Sequence, residues 1–148
     1  MTTKDKLSVL ITTSGIGSRL GNFTKYSNKC LVRVGDIPVI TRIINSYNND
    51  TCFYVTLGHN GDLVKQYLNI AHPFNTFIFI EVDKYEGKGS SLAYSMLVAE
   101  KYLQKPFIYH ACDTLTENYS PSLEYNWCGG YQKTNSSHYT TLNVEGFS

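Results

Sequence analysis

Apolar residues cluster first at Leu7–Thr12, a near-continuous run that predicts a parallel strand covered on both faces. A glycine-rich loop follows. In GDIPVITRIINSYNND the period becomes helical: Ile37, Ile40, Ile43, Ile44 and Tyr47 share one face, Asp36 stands where a cap is expected and Pro38 lies in the first turn. Thr51–Gly58 is rich in β-branched and aromatic residues and predicts a second strand. A second helix is expected from Asp62 as cap, with Leu63, Val64, Tyr67 and Leu68 as its apolar stripe. Asn75–Asp83 reads as a third strand. Ser90 or Ser91 then caps a third helix whose face is Leu92, Met96, Ala99 and Leu103, with Ala93 and Leu97 beside it. Lys105–Asp113 is a fourth strand, ending on an acid.

This alternation predicts an α/β fold: a mainly parallel sheet with helices on both faces and right-handed crossovers. Ligands of such sheets bind beyond the carboxyl ends of the strands. The glycine loop after Thr12, the turn at Gly58, the KYEGKG loop and Asp113 all fall at those ends. Beyond Asp113 the pattern weakens into polar, turn-forming sequence, with one more strand expected at Tyr139–Val144. Neither an internal repeat nor a low-complexity segment is visible.

The 148 residues carry 42% apolar and 17% charged side chains with a formal net charge of +1, the profile of one globular domain. That balance argues against a nucleic-acid-binding surface, which is built from clustered Lys and Arg. The first fifteen residues hold only a five-residue apolar core, too short for a signal peptide or a bilayer span, so a cytoplasmic location with no membrane partner is expected. Cys30, Cys52, Cys112 and Cys128 form no C-x-x-C pair and read as small, half-buried hydrophobes.

Candidate chemistry rests on Thr12–Gly35, TTSGIGSRLGNFTKYSNKCLVRVG. A dinucleotide fingerprint needs a third glycine where Leu20 stands, and no stretch fits a P-loop, since Val82 holds the place of the first glycine before Gly87-Lys88. Thr13-Ser14-Gly15-Ile16-Gly17-Ser18-Arg19-Leu20 instead resembles the first signature of the sugar nucleotidylyltransferases, A-A-G-x-G-[ST]-R-L, and Asn28-Lys29-Cys30-Leu31 resembles their P-K-x-L. Downstream, Glu86–Ser95 is similar to the segment that opens the third helix near base and sugar, with Lys88 and Gly89 replacing Thr-Ala. Pro106–Leu115 is similar to the strand ending in Gly-Asp, with Cys112 in place of the glycine. The likeness runs from about Leu7 to Leu115.

The resemblance implies a GT-A-like nucleotidyltransferase fold and transfer of a nucleoside monophosphate from an NTP to a sugar phosphate, releasing pyrophosphate. The attacking phosphate is already anionic at neutral pH, so positioning and charge neutralisation matter more than a general base. Thr13, Ser14, Gly15, Ile16, Gly17 and Ser18 are then the phosphate side of a nucleotide site, and Gly87, Gly89 and Ser90 the side near base and sugar. Arg19 is expected on the β- and γ-phosphates, Lys29 on the α-phosphate or leaving group, and Asp113 as ligand of a catalytic Mg²⁺. Thr13-Ser14 would add two hydroxyls beside the nucleotide, and Asn28, replacing a proline, is expected to loosen the backbone before Lys29.

Plainer readings stand beside these. The glycine loop could be only a tight turn, Arg19 and Lys29 solvated cations, and Asp113 a cap near Thr114 and Thr116. His59 and His110 read as satisfied histidines, Tyr109 and Trp127 as packing residues. The family's second half, with a further metal-binding aspartate, has no visible counterpart, because the tail offers only Glu117, Glu124 and Glu145. The chain is therefore expected to be the N-terminal part of a longer domain, with a homo-oligomer left open. A glycosyltransferase of the same broad fold, or a non-catalytic nucleotide-binding module, is the alternative.

Overall fold

A computed structural model describes residues 6–116 and 123–129. Its frame is a four-stranded, wholly parallel sheet of β1 (Ser8–Thr12), β4 (Cys52–Leu57), β5 (Thr76–Glu81) and β6 (Ile108–Ala111), in the order β5-β4-β1-β6. Val9 pairs with Phe53 and with Ile108, and Phe53 with Phe77, so one register row crosses all four strands. In β1 alternate side chains serve opposite layers. Val9 and Ile11 pack with α1 (Val39–Asn45) and α2 (Gly61–Ala71), whereas Leu10 packs with α3 (Leu92–Ala99). All three are fully buried, which is why this strand reads as an unbroken apolar run. Helices cover both faces, as the sequence predicts. The strand expected at Tyr139–Val144, with Glu117 and Glu145, lies outside the described residues.

Two helix starts differ from expectation. Asp36 does not cap α1. Gly35 (φ 68°) turns the chain back on itself, so that β2 (Arg33–Val34) pairs antiparallel with β3 (Ile37–Pro38) and Asp36 sits in the turn between them. Pro38 occupies the cap position, and Arg42 braces the hairpin by donating Nε and Nη2 to the Val34 carbonyl at 3.0 and 2.6 Å. Asp62 does not cap α2 either. Asn60 occupies that position in a left-handed conformation (φ 51°), and Asp62 lies in the first turn, where its charge favours the helix dipole. In α3 the Ser91 hydroxyl accepts from the Tyr94 N–H at 3.0 Å, one of the two expected caps.

The buried faces are narrower than the periodicity suggests. Leu63 on α2 and Leu92 and Leu97 on α3 are exposed. α3 meets the sheet through Ser95 and Ala99, with Met96 alongside, because small side chains let the helix lie close. The helix ends at Ala99 and a 3₁₀ turn (Glu100–Tyr102) follows, after which Leu103 returns to the apolar layer.

Two buried histidines join elements through neutral hydrogen bonds. His72 Nε2 meets the Thr41 hydroxyl at 3.0 Å, and that hydroxyl meets Tyr67 Oη at 2.6 Å, which links α1 to α2. His110 on β6 bonds through Nδ1 to Tyr47 Oη (2.8 Å) and through Nε2 to the Thr114 carbonyl (2.9 Å). A neutral ring that accepts at Nδ1 and donates at Nε2 satisfies both contacts. Burial lowers the pKa of each histidine. The unfolded chain therefore takes up protons that the folded chain refuses, and stability falls as pH drops through the ordinary histidine value of about 6.5. Thermal unfolding should show a lower melting temperature at pH 5.5 than at pH 7.5, and a His72→Gln, His110→Gln double variant should show a flatter slope. A wild-type profile flat across that interval would mean the rings are not held neutral.

Candidate active site

The loops that leave the carboxyl ends of β1, β4 and β6 meet on one side of the sheet. Thr13 and Ser14 begin the first of them and are buried. The Thr13 hydroxyl donates to the Thr56 carbonyl at 2.6 Å, and Ser14 Oγ meets Ser95 Oγ on α3 at 2.8 Å. Both hydroxyls are thus turned into the protein rather than set beside the loop's open face. Gly15, Ile16 and Gly17 are half-buried, and Ser18 and Arg19 are exposed at the start of a 3₁₀ segment, Ser18–Thr24. Gly17 needs to be glycine twice over. Its φ is +70°, and a Cβ there would stand 3.0 Å from the Lys29 Cβ and 3.1 Å from the Thr24 Cγ2.

Asn28 is fully buried at the centre of these loops. Its Nδ2 donates to the Thr13 carbonyl (2.7 Å) and to the His59 carbonyl (2.7 Å), while its Oδ1 accepts the Cys30 N–H (3.1 Å). One amide therefore joins the loop after β1, the loop after β4 and the short turn Lys29–Leu31. The expectation that Asn28 loosens the backbone before Lys29 is overturned: three hydrogen bonds fix it more firmly than a proline's restricted φ would alone.

Lys29 extends from that turn to Asp113, Nζ to Oδ2 at 3.2 Å, with side-chain exposures of 25% and 60%. Burial alone would lower the Lys29 pKa, but Cys112 and Asp113 beside it more than offset this and hold the ammonium above its ordinary value. Burial pushes the Cys112 thiol up to about 11, so it is protonated at neutral pH and Asp113 is the effective counter-charge. Asp113 lies in a turn closed by Thr114 N–H to Ala111 O (3.1 Å) and bonds Lys29 rather than capping that turn.

The loop after β4 is held as closely. A Cβ on Gly58 would fall 2.6 Å from the Ser14 carbonyl oxygen and 2.7 Å from the Tyr85 Cβ, so only glycine lets the two loops and Tyr85 meet. His59 donates its backbone N–H to Ser14 O (2.9 Å), its Nε2 lies 2.7 Å from Thr24 O, and Asn60 Nδ2 reaches Ser27 O (3.0 Å). Both His59 and His110 are satisfied structural histidines in this arrangement. Gly87 and Gly89, with φ of 72° and 93°, shape an exposed loop in which Ser90 Oγ donates to Gly87 O at 2.8 Å. That loop runs directly into α3, the helix that Ser14 touches.

Thr13, Ser14, Gly15, Ile16, Gly17, Ser18, Lys29 and Asp113 are therefore neighbours, with Arg19 at the mouth of the first loop. Gly87, Gly89 and Ser90 join them through α3, whose Ser95 meets Ser14, and through Tyr85 of the same loop, which packs on Gly58. Asn28 and Ser95 organise the site although sequence reasoning gives them no such part, whereas the turn at Gly58 is expected there from its place at a strand end. The pairing of Ser14 with Ser95, 81 residues apart, leaves no local trace. Two surface concavities, about 460 Å³ at the amino ends of β1 and β4 and about 370 Å³ between α1 and the segment after β6, include neither the glycine loop nor Lys29 nor Asp113. No described helix is long and apolar enough to cross a membrane.

The donors present would suit a divalent cation only as a loosely held, hydrated ion. Among the described residues no three His, Cys, Asp or Glu side chains come together as metal ligands. Asp113 offers a hard, exposed carboxylate oxygen, the kind of ligand that would suit a Mg²⁺ retaining most of its waters.

No family model and no curated protein matches the sequence. Solved structures do match. The UDP-glucose pyrophosphorylase of Acinetobacter baumannii shares 16% identity over 78% of this chain and 48% of its own, with a TM-score of 0.62. The inositol-1-phosphate CTP transferase of T. maritima shares 25% over 74% and 44%, with a TM-score of 0.59. The CTP:phosphocholine cytidylyltransferase of Streptococcus pneumoniae shares 23% over 73% and 45%, with a TM-score of 0.52. The fold is that of the sugar nucleotidylyltransferases. The chain spans under half the length of these structures. Within this nucleotidylyltransferase fold, the carboxyl-end loops of β1, β4 and β6 are locked to one another by Asn28 and Gly58.

Replacing Asn28 by alanine would deprive the buried Thr13 carbonyl, the partly buried His59 carbonyl and the Cys30 N–H of these hydrogen bonds, at a cost of about 3 kcal/mol. Asn28→Asp would fare no better, since it loses both donors and adds a buried charge. Denaturant unfolding of both variants measures this, and a loss below about 1 kcal/mol would show that other contacts hold the loops.

Proposed function

We propose that this chain is the nucleotide-binding part of a nucleotidylyltransferase that joins an NTP to a sugar phosphate, or a similar phosphorylated alcohol, giving an activated NDP product and pyrophosphate for surface polysaccharide assembly. The observation that carries this reading is the meeting of a glycine loop, a lysine and an aspartate at the carboxyl ends of parallel strands. A phosphate oxygen of the acceptor attacks the α-phosphorus, the bond to the bridging oxygen breaks, and pyrophosphate leaves with the negative charge. Backbone N–H groups at Gly15–Gly17 receive phosphate oxygens, as glycine allows close approach. Arg19 presents a permanently charged fork to the β- and γ-phosphates. Lys29 neutralises the α-phosphate as charge moves to the leaving group. Gly87, Gly89 and Ser90 face the base and sugar end, where the exposed loop leads into α3. Asp113 is the residue that would hold Mg²⁺, which when bound supplies charge neutralisation on phosphate oxygens.

The first test is titration with each of the four NTPs, with and without Mg²⁺, followed by calorimetry or thermal shift. One NTP should bind selectively and more tightly with Mg²⁺, and at 100 times its Kd should stabilise the fold by about 2.7 kcal/mol. Arg19→Ala should weaken that NTP by about tenfold to a hundredfold, and Asp113→Asn should remove the gain from Mg²⁺. Unchanged affinity in Arg19→Ala would exclude the phosphate role of the loop, and an intact Mg²⁺ gain in Asp113→Asn would exclude the metal role.

A further inference from the structure

The ion pair between Lys29 and Asp113 joins the two groups that the proposed reaction needs for different partners. We propose that this pair is an exchangeable lock: Lys29 Nζ and Asp113 Oδ2 neutralise each other until a triphosphate and its divalent cation displace them together, so that each ligand by itself binds weakly. This inference rests on the assignment of Asp113 to the metal and Lys29 to phosphate.

Three features support it. The stem of Lys29 is confined, because its backbone begins the turn capped by Asn28 and its Cβ and Cδ pack against Gly17, 3.0 and 3.6 Å from where a Cβ there would stand. The stem therefore runs along the first loop, and the end of the side chain is the part left to swing towards it. Asp113 is 60% exposed and is engaged through Oδ2, so a solvated cation can approach the carboxylate from outside. Among the described residues no group of three or more His, Cys, Asp or Glu forms here, and Asp113 is the carboxylate that acts on Lys29, so a lone cation would have to compete with the ammonium for it. Two like charges drawn to one oxygen repel, and the repulsion is stronger where Lys29 is largely shielded from water.

The exchange conserves charge pairing. Before binding, ammonium pairs with carboxylate. Afterwards the cation pairs with the carboxylate and phosphates, and the ammonium pairs with the triphosphate. No covalent bond changes. Since coupling between two ligands is reciprocal, removing either partner of the lock should strengthen the other partner's grip on its own ligand.

That crossed result can be measured without turnover. Mn²⁺ binding by the nucleotide-free protein is followed by electron paramagnetic resonance in wild type, Lys29→Met, Asp113→Asn and the double variant. Binding of metal-free inorganic tripolyphosphate is followed by calorimetry in the same four. Lys29→Met should bind Mn²⁺ about tenfold tighter than wild type, and Asp113→Asn should bind metal-free tripolyphosphate about tenfold tighter. The double variant should gain neither. If neither single variant gains, while Asp113→Asn still loses Mn²⁺ and Lys29→Met still loses tripolyphosphate, the lock is wrong and the assignment of roles survives. If Asp113→Asn binds Mn²⁺ as wild type does, the metal assignment itself fails. Should Lys29→Met not fold, as judged by its melting transition, Lys29→Gln takes its place, and the tripolyphosphate gain in Asp113→Asn decides the question independently.

Discussion

The site depends on a single buried amide. Parallel strands deliver their loops to one end of a sheet, but nothing in strand pairing fixes one loop against the next. Asn28 does so by giving both hydrogens of its Nδ2 to carbonyls on different loops while its oxygen accepts the Cys30 N–H. An amide has enough donors and acceptors for all three, and full burial removes the competition from water. The position of Lys29 follows, since the turn that begins with Lys29 is the one Asn28 caps. So does the packing of Gly17 against the Lys29 stem, and with it the shape of the first loop.

The frame was legible because its signals are local. Leu7–Thr12 read as a doubly covered strand from its composition, and the helix at Val39–Asn45 from the spacing of Ile40, Ile43 and Ile44. That Gly17, Lys29 and Asp113 come together was legible because a glycine loop after a parallel strand and an acid at a strand end are carried to the same side of the sheet. Helix starts were less so. Asp36 and Asp62 have the right chemistry for caps, but backbone turns at Gly35 and at Asn60 placed each one elsewhere.

Asn28 departs from the sequence expectation for a different reason. Its departure from a proline motif suggested lost rigidity, whereas its worth lies in partners 15 and 31 residues away. Thr13 and Ser14 likewise face inward because Thr56 and Ser95 are there to receive them. Gly58 is required by Tyr85 and the Ser14 carbonyl, neither of which is its chain neighbour. Long-range polar contacts of this kind have no periodicity, so a pattern of apolar positions cannot announce them.

The seating of α3 has an effect that reaches past packing. Because Ser95 and Ala99 are small, the helix comes close enough for the Ser95 hydroxyl to meet Ser14 at 2.8 Å, and the same helix begins where the Gly87–Ser90 loop ends. Two loops some seventy residues apart in sequence are thereby ruled from one straightedge. Substitutions on the hidden side of α3 would shift the first loop and the Gly87–Ser90 loop together without touching either, so the shape of the face at the carboxyl ends of the strands is set in part by residues that no inspection of that surface would single out.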